Sequence, residues 1–201
     1  MTGAPGLSDP KPLWRQHFRQ RRAQQPEEQQ RRLLEQARAG VPGLIGADQR
    51  LGLYWPLAGE PDLRELAAAL PGRLALPAIR VMAGERRLGY EAWQPGDPLR
   101  SDAAGVPAPA AASIPLPAES LGLLLVPALA CDRRALRLGY GGGWFDRLRA
   151  DPAWRSVPAL IVAPAACAVE QLPQDPWDVP FDGWLSEEGI KWLQPVERPW
   201  L

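Results

Sequence analysis

The stretch "LGLLLVPALACDRRALRLGYGGGWFDRLRA", residues 121–150, determines the fold that this sequence predicts. Its first part, residues 121–129, is a continuous apolar run bounded by turn signals, which is typical of a strand buried on both faces of a sheet. The glycine-rich segment Gly139 to Gly143 follows, and we predict a helix from about Trp144 to Ala150. Ligands of α/β proteins gather outside the carboxyl ends of such strands. The glycine segment is therefore the first place to look for a binding site.

The rest of the chain repeats the alternation of strands and helices. We predict strands at 51–55, 73–84, 86–93 and 157–166, a short last strand within 181–190, a helix at 61–71 and two helices within 9–40. Residues 94–120 are rich in Pro, Gly and Ala and predict a long surface loop. Two-sided apolar strands alternating with helices predict a three-layer α/β/α fold with a mostly parallel central sheet, Rossmann-like in type. We expect one domain over residues 1–201, with an N-terminal helical arm at about 9–40.

Composition excludes several classes of function. The formal net charge of the 201 residues is zero, and the basic clusters are short, which argues against a nucleic-acid-binding protein. The sequence lacks a signal-peptide pattern and any apolar run near the roughly 20 residues of a membrane helix. Its two cysteines, Cys131 and Cys167, fit no zinc or disulfide spacing. We expect a cytoplasmic monomer, bound to neither membrane nor nucleic acid, whose partners are small molecules.

The glycine segment has the composition of a phosphate-binding loop. Backbone amides can approach a phosphate where the chain turns with positive φ, which glycine permits, and the following helix adds its N-terminal amides. Arg137 and Arg147 could add charge-assisted contacts, and Asp146 is a candidate ligand of Mg²⁺ or its waters. The segment matches neither the Walker A nor the G-x-G-x-x-G pattern. Taken alone, a glycine-rich turn without a ligand is an equally good interpretation.

The first helix carries a cationic stripe. Lys11, Arg15, Arg19 and Arg22 recur at helical spacing, with Trp14 and Phe18 beside them and Asp9 as the expected N-cap. Lysine occurs only at positions 11 and 191, although the chain has 23 basic Lys and Arg residues, so these two positions are candidates for a specific requirement for lysine. A solvated helix face is the alternative, and the stripe alone favours it. We interpret the single histidine, His17, as a solvated residue.

The segment from Pro127 to Asp146 resembles the signature of the 5-formyltetrahydrofolate cyclo-ligases. That signature reads roughly P-x-x-x-[FA]-D-x-x-x-x-R-[LI]-G-x-G-[GK]-G-[YF]-[YF]-D. The positions that match it are Pro127, Asp132, Arg137, Leu138, Gly139, Gly141, Gly142, Gly143, Phe145 and Asp146. The family's K-x-x-x-R helix is matched by Lys11 and Arg15, and its loop glutamate by Glu60.

The sequence also departs from the family. Trp144 and Phe145 replace the usual Tyr-Tyr pair, so both hydroxyl groups are missing while ring stacking is preserved. Ala108 occupies the place of a middle-loop glutamate, and Cys167 lies near a position that is often glutamine. These departures keep open the alternative of a diverged nucleotide-binding relative without folate chemistry.

The resemblance implies a reaction and its residues. The formyl oxygen of 5-formyltetrahydrofolate attacks the γ-phosphate of ATP, and ring closure then releases phosphate and leaves 5,10-methenyltetrahydrofolate and ADP. It implies Mg²⁺ as cofactor, held by Asp146, and Glu60, Trp55 and Phe145 as substrate-binding residues. The ATP-binding residues that it implies are Lys11, Arg15, Arg137, Leu138, Gly139, Tyr140, Gly141, Gly142, Gly143 and Trp144.

Several residues have structural alternatives. Glu60, which precedes Pro61, could simply favour the start of the next helix. Asp132 could cap a turn. Trp55 and Trp93 favour the core over a ligand platform. The late pair Asp178 and Asp182 is too short a pattern for a metal site, and we predict turn and surface residues there.

Overall fold

The computed structural model describes residues 5–82, 84–110 and 115–194. Its helices are α1 (Lys11–Ala23), α2 (Glu27–Gly40), α3 (Trp144–Ala150) and α4 (Pro152–Arg155). Its strands are β1 (Arg50–Gly52), β2 (Leu74–Met82), β3 (Glu85–Trp93), β4 (Leu99–Ser101), β5 (Pro107–Pro109), β6 (Leu121–Pro127), β7 (Ala130–Asp132), β8 (Arg137–Leu138), β9 (Ala159–Val162), β10 (Ala168–Val169), β11 (Gly183–Ser186) and β12 (Gly189–Trp192). Each of these helices is too short or too polar to cross a lipid bilayer.

The central sheet has seven strands in the order β12-β11-β9-β6-β1-β2-β3. The five inner strands are parallel, and the outer strands β12 and β3 pair antiparallel with their neighbours. The chain order therefore reverses between β1 and β6, where successive connections run in opposite directions along the sheet. A crevice forms at the carboxyl ends of two strands at such a switch point, and the candidate site lies there.

Two hydrophobic cores cover the two faces of the sheet. In β6, Leu124 and Val126 belong to the core that contains Trp14 and Phe18 of α1, whereas Leu123 and Leu125 belong to the core that contains Leu33 of α2. Alternate residues of a strand point to opposite faces, so a strand buried on both sides is apolar throughout. The predicted α/β fold with a mostly parallel sheet is confirmed.

Three local predictions are wrong. The helix expected at 61–71 is a single 3-10 turn, Arg64–Ala68, because the side chain of Asp62 accepts from the amide of Arg64 and competes with a regular helix start. Asp9 does not cap α1, whose N-cap is Pro10, since its carboxylate accepts instead from the amide of Gly6. The last strand is a hairpin of β11 and β12, which turns at Gly189 with φ 108°.

The segment 94–120 is more ordered than the predicted surface loop. It contains the β4–β5 hairpin and a 3-10 turn at Ala118–Ser120, while residues 111–114 lie outside the described part. Asp102 ties this hairpin to the sheet, because its carboxylate accepts from the amides of Ile79, Ala104 and Val106. Because hydrogen bonds to one carboxylate organise this segment, its order does not appear as a hydrophobic periodicity in the sequence.

Candidate functional site

Two cavities meet at the glycine segment. The larger has a volume of about 280 Å³ and lies between the end of β1, the β4–β5 hairpin and the glycine segment. The smaller, of about 60 Å³, lies between the glycine segment, the start of α1 and residues 175–178. Arg137 and Gly143 line both cavities. A ligand in one cavity would therefore lie next to a ligand in the other.

Successive residues of the glycine segment face the two cavities in turn. Gly139 and Gly141 line the smaller cavity, whereas Tyr140 and Gly142 line the larger one. Gly141 has φ 109° and Gly143, the N-cap of α3, has φ 61°, so two positions need the left-handed region. Within the described residues, the amides of Gly141, Gly142 and Gly143 donate to no protein acceptor. The segment thus presents free N–H donors, as a phosphate-binding loop requires.

Arg137 is the buried cation of the site. Its Nη1 donates to the carbonyl oxygen of Pro127 at 3.2 Å, and its Nη2 lies 3.4 Å from Oδ2 of Asp146. Burial lowers the pKa of the Arg137 guanidinium, and the carboxylate of Asp146 opposes that shift. Its Nε is buried without a hydrogen-bond partner among the described residues. A buried cation with an open donor is suited to an anionic ligand.

The first helix brings two further cations to the smaller cavity. Lys11 Nζ donates to Oδ2 of Asp175 at 2.7 Å and to Oδ2 of Asp178 at 2.5 Å. Arg15 Nε donates to the carbonyl oxygen of Gly139 at 3.0 Å, so α1 is anchored to the glycine segment. Of the predicted stripe, Lys11 and Arg15 reach the cavity, but Arg22 is buried and Arg19 is exposed. The alternative of one solvated face does not hold for Arg22, because α1 packs onto the sheet along this side.

Three carboxylates line the smaller cavity, namely Asp146, Asp175 and Asp178. The sequence singled out Asp146 alone, and the prediction of Asp178 as a surface residue is wrong, since its side chain is only 13% exposed. No described group of three or more His, Cys, Asp or Glu side chains is arranged to hold a metal ion by itself. Mg²⁺ prefers one or two carboxylates together with waters and substrate phosphates. These residues fit that mode and not an all-protein cage.

Glu60 presents an open acceptor to the larger cavity. Its Oε2 accepts from the amide of Leu57 at 2.8 Å, and its Oε1 is buried without a hydrogen bond among the described residues. The Tyr140 hydroxyl is also buried without one; burial, and then the charge of Glu60, raise its pKa. Glu60 does not begin a helix, because the next element starts at Arg64. Its carboxylate thus bonds the loop through Oε2 and belongs to the wall of the larger cavity.

Aromatic rings form much of the wall of the larger cavity. Trp55, Trp144 and Phe145 line it, together with Tyr54 and Tyr140. Trp55 packs edge-on against Trp93 at 6.1 Å between centroids and lies under the guanidinium of Arg64. Trp93 is buried in the core as predicted, but Trp55 is only half-buried and reaches the cavity. Flat aromatic walls suit a flat heterocyclic ligand.

Other predicted residues lie outside both cavities. Ala108 is fully buried in β5, so the cavity wall on this side is made by Ala104 and Val106. Asp132 caps a turn as expected, accepting from the amides of Arg134 and Leu136. Asp182 accepts from Arg149 and the amide of Ala159. His17 is half-buried and packs edge-on against Phe18, so it is less solvated than predicted.

Comparisons with known proteins identify one family. The model of the 5-formyltetrahydrofolate cyclo-ligase family matches residues 8–187. A 5-formyltetrahydrofolate cyclo-ligase of Mycolicibacterium smegmatis is 30% identical over 72% of this chain and 77% of its own length. One of Haemophilus influenzae is 28% identical over 66% and 73% of the two chains.

Two solved structures share the fold. The NMR structure of Aquifex aeolicus 5,10-methenyltetrahydrofolate synthetase is 28% identical, with a TM-score of 0.69 over 94% of this chain and 95% of that one. A 5,10-methenyltetrahydrofolate synthetase from Mycoplasma pneumoniae has a TM-score of 0.66 over 90% of this chain and 100% of its own. At 18% identity the second supports the fold alone.

Proposed function

Because the chain belongs to the 5-formyltetrahydrofolate cyclo-ligase family, we propose that it converts 5-formyltetrahydrofolate to 5,10-methenyltetrahydrofolate at the expense of ATP. The observation that carries this proposal is the pair of cavities that share Arg137 and Gly143. One cavity has cations and free amides for a polyphosphate, and the other has an aromatic wall for a pterin. The reacting atoms of two substrates would meet where the cavities join.

The smaller cavity is assigned to the ATP phosphates. Lys11, Arg15 and Arg137 supply positive charge, and the amides of Gly141 and Gly143 supply free N–H donors. Lys11 donates to Asp175 and Asp178, so we expect the phosphates to compete with these two carboxylates for Lys11 as they bind.

The larger cavity is assigned to the folate. Trp55 and Phe145 would pack on the pterin, and Oε1 of Glu60 would accept from one of its N–H groups. Trp144 and Tyr140 line the same cavity at the glycine segment. We place Phe145 and Trp144 as packing surfaces, since neither carries the hydroxyl of a tyrosine.

The reaction needs positioning and charge neutralisation more than a nucleophilic side chain. The formyl oxygen attacks the γ-phosphorus, the bond to the bridging oxygen breaks and ADP leaves. The nitrogen at position 10 then adds to the activated formyl carbon and loses its proton. The C–O bond breaks, the phosphate leaves and takes up that proton, and the methenyl bridge remains. Arg137 lies at the junction, where charge on the transferred phosphoryl group would be greatest. Magnesium, held by Asp146 and the phosphates, would neutralise part of that charge.

The wider setting follows from the same proposal. We place the enzyme in the cytoplasm, since its two cysteines are free and buried. We also expect it to act as a single-domain monomer on small-molecule substrates. The direct test is to mix the protein with 5-formyltetrahydrofolate, ATP and Mg²⁺ and to follow the methenyl absorbance in the near ultraviolet. Absorbance that requires all three components supports the proposal. Binding of ATP without any turnover would instead support a diverged nucleotide-binding relative.

A further inference from the structure

Arg22 connects α1 to two loops of the site, although it lines neither cavity. It lies in the last turn of α1, and its side chain is 5% exposed. Its Nη2 donates to the carbonyl oxygen of Ala58 at 3.1 Å, and its Nη1 donates to that of Ala128 at 3.5 Å. One guanidinium therefore connects the loop after β1 to the turn after β6, on the two sides of the switch point.

The same guanidinium contacts the polar groups that face the larger cavity. Its Nη1 lies 3.8 Å from Oε1 of Glu60, the oxygen that has no hydrogen bond among the described residues, and its Cζ lies 5.5 Å from the ring centre of Tyr140. The 3.8 Å separation gives electrostatic attraction but no hydrogen bond. Arg22 thus holds Glu60 in place by charge and leaves its Oε1 free to accept from a ligand.

We propose that Arg22 is a positioning residue, which sets Glu60 for the folate substrate and acts only through it. This inference rests on the proposed function, because it assumes that Glu60 accepts from that substrate. A buried carboxylate is costly unless a cation compensates it. Arg22 supplies that cation from the outside of the site, and its planar fork fixes both loops at once.

A double-mutant cycle between Arg22 and Glu60 tests the inference. We expect Arg22→Met to lower kcat/KM for 5-formyltetrahydrofolate about tenfold or more, because hydrogen bonds made by a charged group are lost. The KM for ATP should be nearly unchanged. In a Glu60→Gln background the same change should have little further effect. The control is Arg21→Met, whose guanidinium donates to the distant carbonyl oxygen of Ala166 and should leave both constants unchanged.

The melting temperatures of the same variants give a second measurement of the contact between Arg22 and Glu60. Arg22→Met leaves the carboxylate of Glu60 buried without its cation, so we expect a lower melting temperature that Glu60→Gln partly restores in the double variant. If Arg22→Met alone does not fold, the double variant is compared with Glu60→Gln. Equal kcat/KM values for those two proteins would support the inference.

Two results would overturn it. The first is a double variant whose kcat/KM is lowered by the product of the two single-variant factors, which would mean that Arg22 and Glu60 act independently. The second is an equal rise in the KM for ATP and in the KM for 5-formyltetrahydrofolate in Arg22→Met. If the wild-type protein itself fails to turn over 5-formyltetrahydrofolate, the proposed function is what has failed. Multiplying effects in an active enzyme would refute the role of Arg22 alone.

Discussion

Arg137 and Asp146 face each other across the glycine segment, with 3.4 Å between Nη2 and Oδ2. Arg137 begins β8, which leads into the glycine segment, and Asp146 lies in the first turn of α3, which follows it, so the pair closes the segment from both sides. Both side chains are largely buried, at 6% and 15% exposure. The contact places a carboxylate of the smaller cavity against the cation that lines both cavities.

Replacing Arg137 should affect the chemical step most. Arg137→Met removes the cation that lines both cavities, and we expect kcat to fall by about 100- to 1000-fold, as for the loss of a preorganised donor at a site of developing charge. The measurement is steady-state formation of the methenyl product. The control Arg87→Met changes an exposed arginine that pairs with Glu85, and its kcat should match the wild type. Unchanged kcat in Arg137→Met would contradict our assignment.

The two lysines provide a matched pair for the phosphate assignment. Lys11→Ala should raise the KM for ATP by about 10- to 100-fold, since a charge-assisted contact to phosphate is lost. Lys191→Ala removes an exposed lysine that pairs only with Glu188 among the described residues and should leave that KM unchanged. ATP titrations of both variants give the comparison. A similar KM in the two would place Lys11 outside the ATP site.

Asp146 predicts the metal dependence. We expect Asp146→Asn to raise the Mg²⁺ concentration needed for half-maximal rate by about tenfold or more. The substitution removes the negative charge of Asp146, whether that carboxylate binds the metal directly or through a metal-bound water. Asp97→Asn is the control, since Asp97 accepts from Gln94 in a turn and lines neither cavity. Binding of Mn²⁺ in the presence of ATP, measured by electron paramagnetic resonance, should weaken in parallel. Equal metal dependence in the two variants would contradict the assignment.

The two cysteines predict chemical inertness in the folded state. Both are buried, and burial raises the pKa of Cys131 to about 12 and that of Cys167 to about 11. At pH 8 the folded thiols stay protonated, so a disulfide reagent should label them slowly in buffer and rapidly in urea. Above the ordinary thiol pKa of 9.0, the unfolded chain loses these protons first, and stability should fall as pH rises. Fast labelling of both thiols without urea would contradict their burial.

The sequence predicts the framework better than the details that local contacts decide. The strand at 121–127 and α3 follow from an apolar run and a glycine break, which are properties of neighbouring residues. Asp175 and Asp178 carry no such signal, because they reach the site only through their contacts with Lys11, far away in sequence. Arg22 likewise follows the spacing of a solvated stripe, and only packing of α1 on the sheet buries it. Long-range contacts of this kind leave no local pattern.

Sequence and three-dimensional structure each describe a different property of the glycine segment. Its composition leaves a turn and a phosphate loop as equal alternatives, and the resemblance to a family favours the second. The alternation of its residues between two cavities is visible only in three dimensions. Tyr140, Gly142 and Trp144 line the larger cavity, which we propose for the folate, whereas the resemblance groups them with ATP.

The measurement that tests the central claim most directly follows one oxygen atom. The protein is incubated with ATP, Mg²⁺ and 5-formyltetrahydrofolate that carries ¹⁸O in the formyl group, and the inorganic phosphate is analysed by ³¹P NMR. If the formyl oxygen attacks the γ-phosphate at the junction of the two cavities, each phosphate released with methenyl product contains one ¹⁸O. Release of unlabelled phosphate, or no methenyl product at all, would contradict the account.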